Sequence, residues 1–367
     1  MKLTALHVLP YRTAAGRAPR NAQRSWPMRE GLLIQLRDER GRIGQGEAAP
    51  LPGFSREDVN ACRSAAQAFE VERLPELSPS NLLAALAEVG SRATELPALR
   101  CALETAVLDL IAQERGEPAW ATLLGALPER TAPEAVALAA LLQAETAADR
   151  LNEAQHAVTR GIRTLKVKVG RPGEFEQELA ELAELATLRA RFAAVELRID
   201  ANRAWSAAQA QRYLAELAHL RPEYVEEPSA DWAALAHSPT PLALDESLTS
   251  PDVTANVLAR RHDLNLRACI LKPTLLGGVV RCFEIAQSAA RAGLACVLSH
   301  AFEGPVGFSL ACALALALND STRAAGLAPH AFLNAWNAKL PGLDDTAIRT
   351  WNEAGLGLPA LQPPSAA

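Results

Sequence analysis

The chain has 367 residues, 49% of them hydrophobic and 22% charged, with a net charge of −5 at pH 7. That length exceeds one small core, and the ordinary globular balance excludes an intrinsically disordered chain. The arginines are scattered and form no basic block interleaved with aromatics, so no nucleic-acid partner is expected.

The opening MKLTALHVLPYR carries neither the apolar segment nor the small-residue cleavage site of a signal peptide. No apolar run approaches about 18 residues, and ACALALAL (Ala311 to Leu318) is too short to span a bilayer. No membrane association is expected, and cytoplasm follows by default. Leu3 to Tyr11 and Gly31 to Arg37 read as strands, and Gly41 to Ala48 pairs back after the turn at Asp38 to Gly41. From about Arg56 to Gly116 the pattern is helical. LRCALETAVLDLIAQERG repeats apolar residues at i, i+3, i+4 and i+7 and stops on Gly116. Residues 1–125 are expected to form an α+β domain.

After about Ala132 short apolar runs alternate with Ala- and Leu-rich helical segments such as EFEQELAELAELATLRARF. The runs are VALAALL, TLKVKV, VELRID, YVEEP, PLALDES, ACILKP and ACVLSH. This is the βα rhythm of a parallel sheet, and some seven units fit an α/β barrel over 126–325 better than an open sheet. A segment 326–367, ending in a frayed PALQPPSAA, is expected to pack back on the rest. The six cysteines, Cys62, Cys101, Cys269, Cys282, Cys296 and Cys312, form no CxxC pair and sit mostly in apolar runs. Buried free thiols are expected.

Polar residues cluster where these strands end, which is where a βα barrel builds its active site. They are Lys166 and Lys168, Asp200 and Asn202, Glu226 and Glu227, Asp245 and Glu246, Lys272, and then Ser299, His300 and Glu303. Asp200, Glu226 and Asp245 come from successive strands and offer hard oxygen ligands, a set suited to Mg²⁺ rather than Zn²⁺. The bland alternative makes each a helix N-cap or first-turn acid. Lysine is scarce: beyond Lys2 and Lys339, only Lys166, Lys168 and Lys272 occur. A strand lysine is therefore unlikely filler, although salt bridges to the acids would also account for it. Lys166 and Lys168, two apart, point inward at different depths, and their repulsion and burial both favour a neutral amine able to act as a base. Lys272 follows the acids by one strand and would face Lys168 across the mouth. Together these parts suit removal of a proton α to a carboxylate, with an enediolate stabilised opposite the base.

The K-x-K strand and the D-x-N, E-E-P, D-E-S and K-P-T motifs resemble the enolase superfamily, in particular its muconate-lactonizing subgroup. LRIDANRAW, EEP, DESL, ILKPTLLGG and the GEAAPLPGFSRE segment are most similar to the o-succinylbenzoate synthase family. The resemblance runs from about Arg29 to Gly307. It implies a modified (β/α)7β TIM-type barrel capped by the N-terminal α+β domain, which acts as a lid. The implied metal ligands are Asp200, Glu226 and Asp245, holding Mg²⁺, with Mn²⁺ as a substitute. Lys168 is implied as base and as proton donor to the departing hydroxyl in a syn elimination, and Lys272 as the opposing cation. Lys166, Asn202, Glu227 and Glu246 are implied as orienting groups. Ser299 is implied as a contact for the substrate, with His300 and Glu303 beside it. The implied activity is a lyase (hydro-lyase) reaction on a small-molecule carboxylate: dehydration of 2-succinyl-6-hydroxy-2,4-cyclohexadiene-1-carboxylate to 2-succinylbenzoate, in menaquinone biosynthesis.

Two stretches depart from the family pattern. SHAFEG stands where a serine-rich segment is expected, and Arg12 to Met28, at the position of the family's specificity loop, is longer and richer in Arg. Alternatives within the superfamily are N-acylamino acid racemase and dipeptide epimerase. The last barrel strand lacks the D-x-D that the epimerases use to hold an ammonium. Muconate cycloisomerase has less support from the cap segment, and an inactive barrel would not need all five central groups. Oligomeric state is left open.

Overall fold

The structure, a computed structural model, describes residues 1–16, 18–21, 24–192 and 194–364. Arg17, Ala22 and Gln23 of the expected specificity loop, and the last three residues of the expected frayed tail, lie outside the described residues.

Strands β1 (Leu3–Ala14), β2 (Met28–Asp38) and β3 (Ile43–Ala48) form an antiparallel sheet in that order. The helix Pro97–Arg115 packs against it, opened by Pro97 and closed by Gly116 in the left-handed conformation (φ 66°). A Cβ at Gly46 would stand 1.8 Å from the Ala102 carbonyl oxygen, so glycine sets how closely sheet and helix approach. The third strand starts at Ile43 rather than Gly41, because Asp38 turns the chain by accepting from the backbone of Arg40 and Arg42.

The apolar run Val136 to Leu142 divides between two sheets. Its first part, β4 (Ala135–Ala137), pairs with a late strand at Ala347–Arg349, and its second, β5 (Ala139–Leu142), opens the barrel. From there β6 (Thr164–Lys168), β7 (Glu196–Asp200), β8 (Tyr224–Glu226), β9 (Leu242–Leu244), β10 (Leu266–Leu271) and β11 (Ala295–Leu298) follow in spatial order, all parallel. Ala325 and Gly326 fill the eighth place. Ala325 exchanges backbone bonds with Ala137 and Ala139, and the Gly326 N–H donates to Leu298. This closes a (β/α)7β barrel. One expected helix is missing: between β8 and β9 the crossover is only the short 3₁₀ turn Trp232–Leu235.

The helix Pro305–Leu318 follows β11 and is buried along its whole length, which is what the ACALALAL run encodes. No helix among the described residues is long and apolar enough to cross a membrane. Strand β12 (Ala347–Arg349) pairs antiparallel with β4, and beyond it the Leu361 N–H donates to Gln45 of β3. All six cysteines are buried and free.

Two buried charges from the cap hold it onto the barrel mouth. Glu47 accepts from the Gly304 and Gly307 N–H groups (2.5 and 2.9 Å), at the start of the helix after β11, and from the Tyr11 hydroxyl (2.5 Å). Arg29 donates to the carbonyls of Ala49 and Pro50 in the cap and of Ala301 and Phe302 in the barrel loop. The GE of GEAAPLPGFSRE is thus a latch.

Candidate active site at the barrel mouth

Parallel register carries the strand-end side chains to one level. Lys168 lies beside Asp200, and Asp200 beside Glu226, on adjacent strands. Asp245 follows β9 by one residue. One carboxylate oxygen each from Asp200, Glu226 and Asp245 lies within 4.8 Å of the others, and all three residues are buried. Asp245 precedes the 3₁₀ turn Glu246–Thr249 without capping it through its side chain, and the backbone bond Asp200 accepts is from the Asn202 N–H next to it (3.1 Å), in a turn and not at a helix start. Helix capping does not explain these acids.

The donor set is three hard oxygens converging on one point, with room left for further oxygen ligands, and it fits a divalent cation such as Mg²⁺. The cluster already gathers cations: the Lys166 ammonium sits 3.0 Å from Asp200 and 2.5 Å from Glu226, and Lys272 contacts Asp245. Burial raises the Asp200 carboxyl, but the three lysines together bring it down to about 2. Glu226, raised by burial and by Asp200 and Asp245 against the pull of Lys166, stands at about 7.

The two lysines of β6 behave differently, which corrects the expectation that both tend toward neutrality. Burial lowers each, but Lys166, bridging Asp200 and Glu226, is held well above the ordinary lysine range by those acids. Among the described residues, the Lys168 ammonium has only Asn202 Oδ1 at 3.5 Å. Burial and the Lys166 and Lys272 ammoniums hold it below its usual value against Asp200. In an eight-membered ring β6 and β10 are four places apart either way, so Lys168 and Lys272 face each other across the mouth. Lys272 is raised, with Asp245 and Glu246 outweighing its burial.

A second tier fixes the first. Glu227 accepts from the Asp245 and Ser247 N–H groups (2.8 Å each), from the Ser247 hydroxyl and from Arg203 (2.7 Å), and so sets the loop that carries Asp245. Asn202 donates to Glu246 (2.9 Å) and also lies against Lys168. Asn202 and Glu227 both adopt positive φ (43° and 41°), costing of order 1–3 kcal/mol each, a strain that commonly collects where side chains must be aimed. Glu246 has one buried oxygen without a partner among the described residues and is raised to about 8, chiefly by burial and by Asp245.

A cavity of about 100 Å³ opens above these groups. Lys166, Lys168, Asp200, Asn202 and Lys272 line one end, Ser299, His300 and His330 the other, and the cap residues Trp26, Leu51 and Phe54 roof it. Gly53, at φ 88° in the turn of PLPGFS, brings Phe54 to 6.0 Å from the Lys272 ammonium. Ser299 donates to the Gly326 carbonyl (3.2 Å). Glu303, expected beside the substrate, is not among the lining residues. Its carboxylate turns back to accept from the Ala301 N–H of its own loop (2.7 Å). Sequence reasoning missed His330, Trp26 and Phe54. The last belongs to the PLPGFS segment and was reachable, whereas His330 follows the final strand with no motif to mark it.

Residues 149–360 match the family model described as "Enolase C-terminal domain-like", and residues 20–85 match "MenC, N-terminal domain". The chain is similar to the o-succinylbenzoate synthase of Thermosynechococcus vestitus, at 34% identity over 62% of this chain and 64% of that one. It therefore spans less than two thirds of that enzyme's length. Similarity to the o-succinylbenzoate synthase of Pectobacterium atrosepticum is 28% over 91% and 90% of the two chains. Among solved structures, the dipeptide epimerase of Methylococcus capsulatus, complexed with Mg and the dipeptide L-Arg-D-Lys, superposes with a TM-score of 0.82 at 26% identity, covering 98% of this chain and 99% of that one.

Proposed function

The chain belongs to the enolase superfamily, and from that premise we propose that it is an o-succinylbenzoate synthase, a hydro-lyase acting on 2-succinyl-6-hydroxy-2,4-cyclohexadiene-1-carboxylate. The observation that carries this reading is two lysines facing each other across three convergent buried acids, in a chain whose residues 20–85 match the MenC N-terminal domain. In this reading residues 1–125 cap the barrel of 126–325, and 326–367 ties the two together.

Asp200, Glu226 and Asp245 would hold Mg²⁺, or Mn²⁺ in its place, and such an ion supplies positive charge for a substrate carboxylate and for the charge that builds on it. Lys168, its amine kept available by burial and by its cationic neighbours, takes the proton α to that carboxylate. Lys272 keeps its proton and lies on the opposite face, where it stabilises the enediolate. With no acid bonded to it, the newly charged Lys168 then returns its proton to the departing hydroxyl on the same face, so the elimination is syn. Lys166 stays charged and orients Asp200 and Glu226. Asn202, Glu227 and Glu246 orient the others. Ser299 and His300 lie at the far end, where the rest of the substrate extends.

The opposed lysines and the likeness to a dipeptide epimerase favour a second reading, racemisation or epimerisation of an acylated or peptidyl amino acid by two bases. The match of residues 20–85 to the MenC N-terminal domain and the o-succinylbenzoate synthase relatives weigh against it. Purified protein with Mg²⁺ should convert the cyclohexadiene substrate faster than it racemises N-succinyl amino acids. Racemisation without dehydration would move the assignment to the second reading.

A further inference from the structure

His330 is 7% exposed, and neither of its ring nitrogens has a hydrogen-bond partner among the described residues, although the ring lines the cavity. A buried polar group left unsatisfied is costly, so the position implies something that completes it when the site is filled. His300 stands beside it, ring centroids 4.7 Å apart. The His300 Nδ1 accepts from the Phe302 N–H (3.2 Å), which places the proton of the neutral ring on Nε2 and makes that atom a donor.

This end of the cavity has donors but no free charge. Burial, then Arg29, pushes His330 down to about 3, with the Glu303 backbone opposing weakly from outside hydrogen-bond geometry. His300 is held well below the usual range by burial, by His330 and by the three lysines. The Arg29 guanidinium is engaged by four backbone carbonyls and is not available to an anion. Phe302 and Phe332 pack around the imidazoles. A carboxylate here would be buried without a countercharge, whereas a neutral carbonyl oxygen needs only a donor.

We propose that His330, together with His300, is a specificity-determining pair that receives the carbonyl oxygen of the substrate's acyl arm, a ketone or amide, while the acids and lysines at the other end take the carboxylate. This rests on the functional reading above and adds what that reading leaves open, the way the acyl arm is read. The serine-rich segment expected near β11 would offer hydroxyls; here two neutral imidazoles take that role, one from the β11 loop and one from beyond the final strand.

The test compares binding of two probes in the presence of Mg²⁺: 2-succinylbenzoate and its deoxo analogue 4-(2-carboxyphenyl)butanoate, which lacks only the ketone oxygen. The intact protein should prefer the ketone by about fivefold to tenfold, the effect of one neutral hydrogen bond. His330→Phe should bring the ratio close to one while both probes still bind through the ring carboxylate, and His330→Gln, which keeps a donor, should restore part of it. A ratio near one in the unmodified protein overturns the proposal without any variant, as does an undiminished preference in a folded His330→Phe protein. Dehydration of the cyclohexadiene substrate, measured on the same preparation, separates the two failures. Turnover with no ketone preference removes the histidine pair and leaves the synthase reading, whereas neither turnover nor probe binding removes both.

Discussion

The two ends of the cavity are built from opposite materials. At one end three acids and three lysines crowd together and fix one another's charge. At the other, two histidines, two phenylalanines and a tryptophan hold almost none. The difference teaches that burial alone does not decide protonation. Lys166 and Lys168 are both buried and two residues apart, yet one is driven up and the other down, because one bridges two carboxylates and the other faces an amide. In the function proposed above, chemistry belongs to the charged end and selection to the neutral one.

The sharpest way to break that division is Lys168→Ala. The loss in kcat should be about 10²- to 10⁴-fold, the usual range for a positioned acid–base group, and a variant retaining more than about a tenth of wild-type turnover would remove Lys168 from the chemistry. Glu227→Gln comes next. It touches neither substrate nor metal site directly but holds the backbone under Asp245, so metal affinity or activity should fall about 10- to 100-fold, read from a Mg²⁺ titration of activity. Glu47→Gln tests the latch between cap and barrel. One of three buried donors loses its acceptor, and denaturant unfolding should show a loss of about 1–3 kcal/mol.

The smallest effect concerns pH. In the proposed mechanism Lys168 works as the free amine, so kcat/KM should rise with pH and level off above its pKa. Its lowered value puts the midpoint below the ordinary 10.5, and Lys272, raised, should impose no loss over the same range. A limb centred at 10.5 or above would contradict the environment assigned to Lys168.

The charged end was readable in the sequence because strand periodicity does the placing. Residues at successive strand ends in a parallel sheet arrive at one level, so K-x-K, D-x-N, E-E-P, D-E-S and K-P-T could be assembled before any coordinates. The neutral end was not readable. His330 is brought to the cavity by a segment after the barrel closes, Trp26 by the cap, and Glu303 is turned away by a hydrogen bond to its own loop. Long-range packing sets the first two positions and a turn within the loop the third, and no strand or helix periodicity reports either. The split of Val136 to Leu142 has the same origin, since its first half is claimed by a strand some 200 residues later.

Mg²⁺ binding and turnover measured side by side on Lys168→Ala and Asp245→Asn test the central claim most directly, that acids hold a metal while an unpaired lysine does the proton work. Lys168→Ala should bind Mg²⁺ within about threefold of the unmodified protein and lose about 10²- to 10⁴-fold in turnover, whereas Asp245→Asn should lose about tenfold or more in Mg²⁺ affinity along with its activity. Unchanged Mg²⁺ affinity in Asp245→Asn, or sustained turnover by Lys168→Ala, would contradict it.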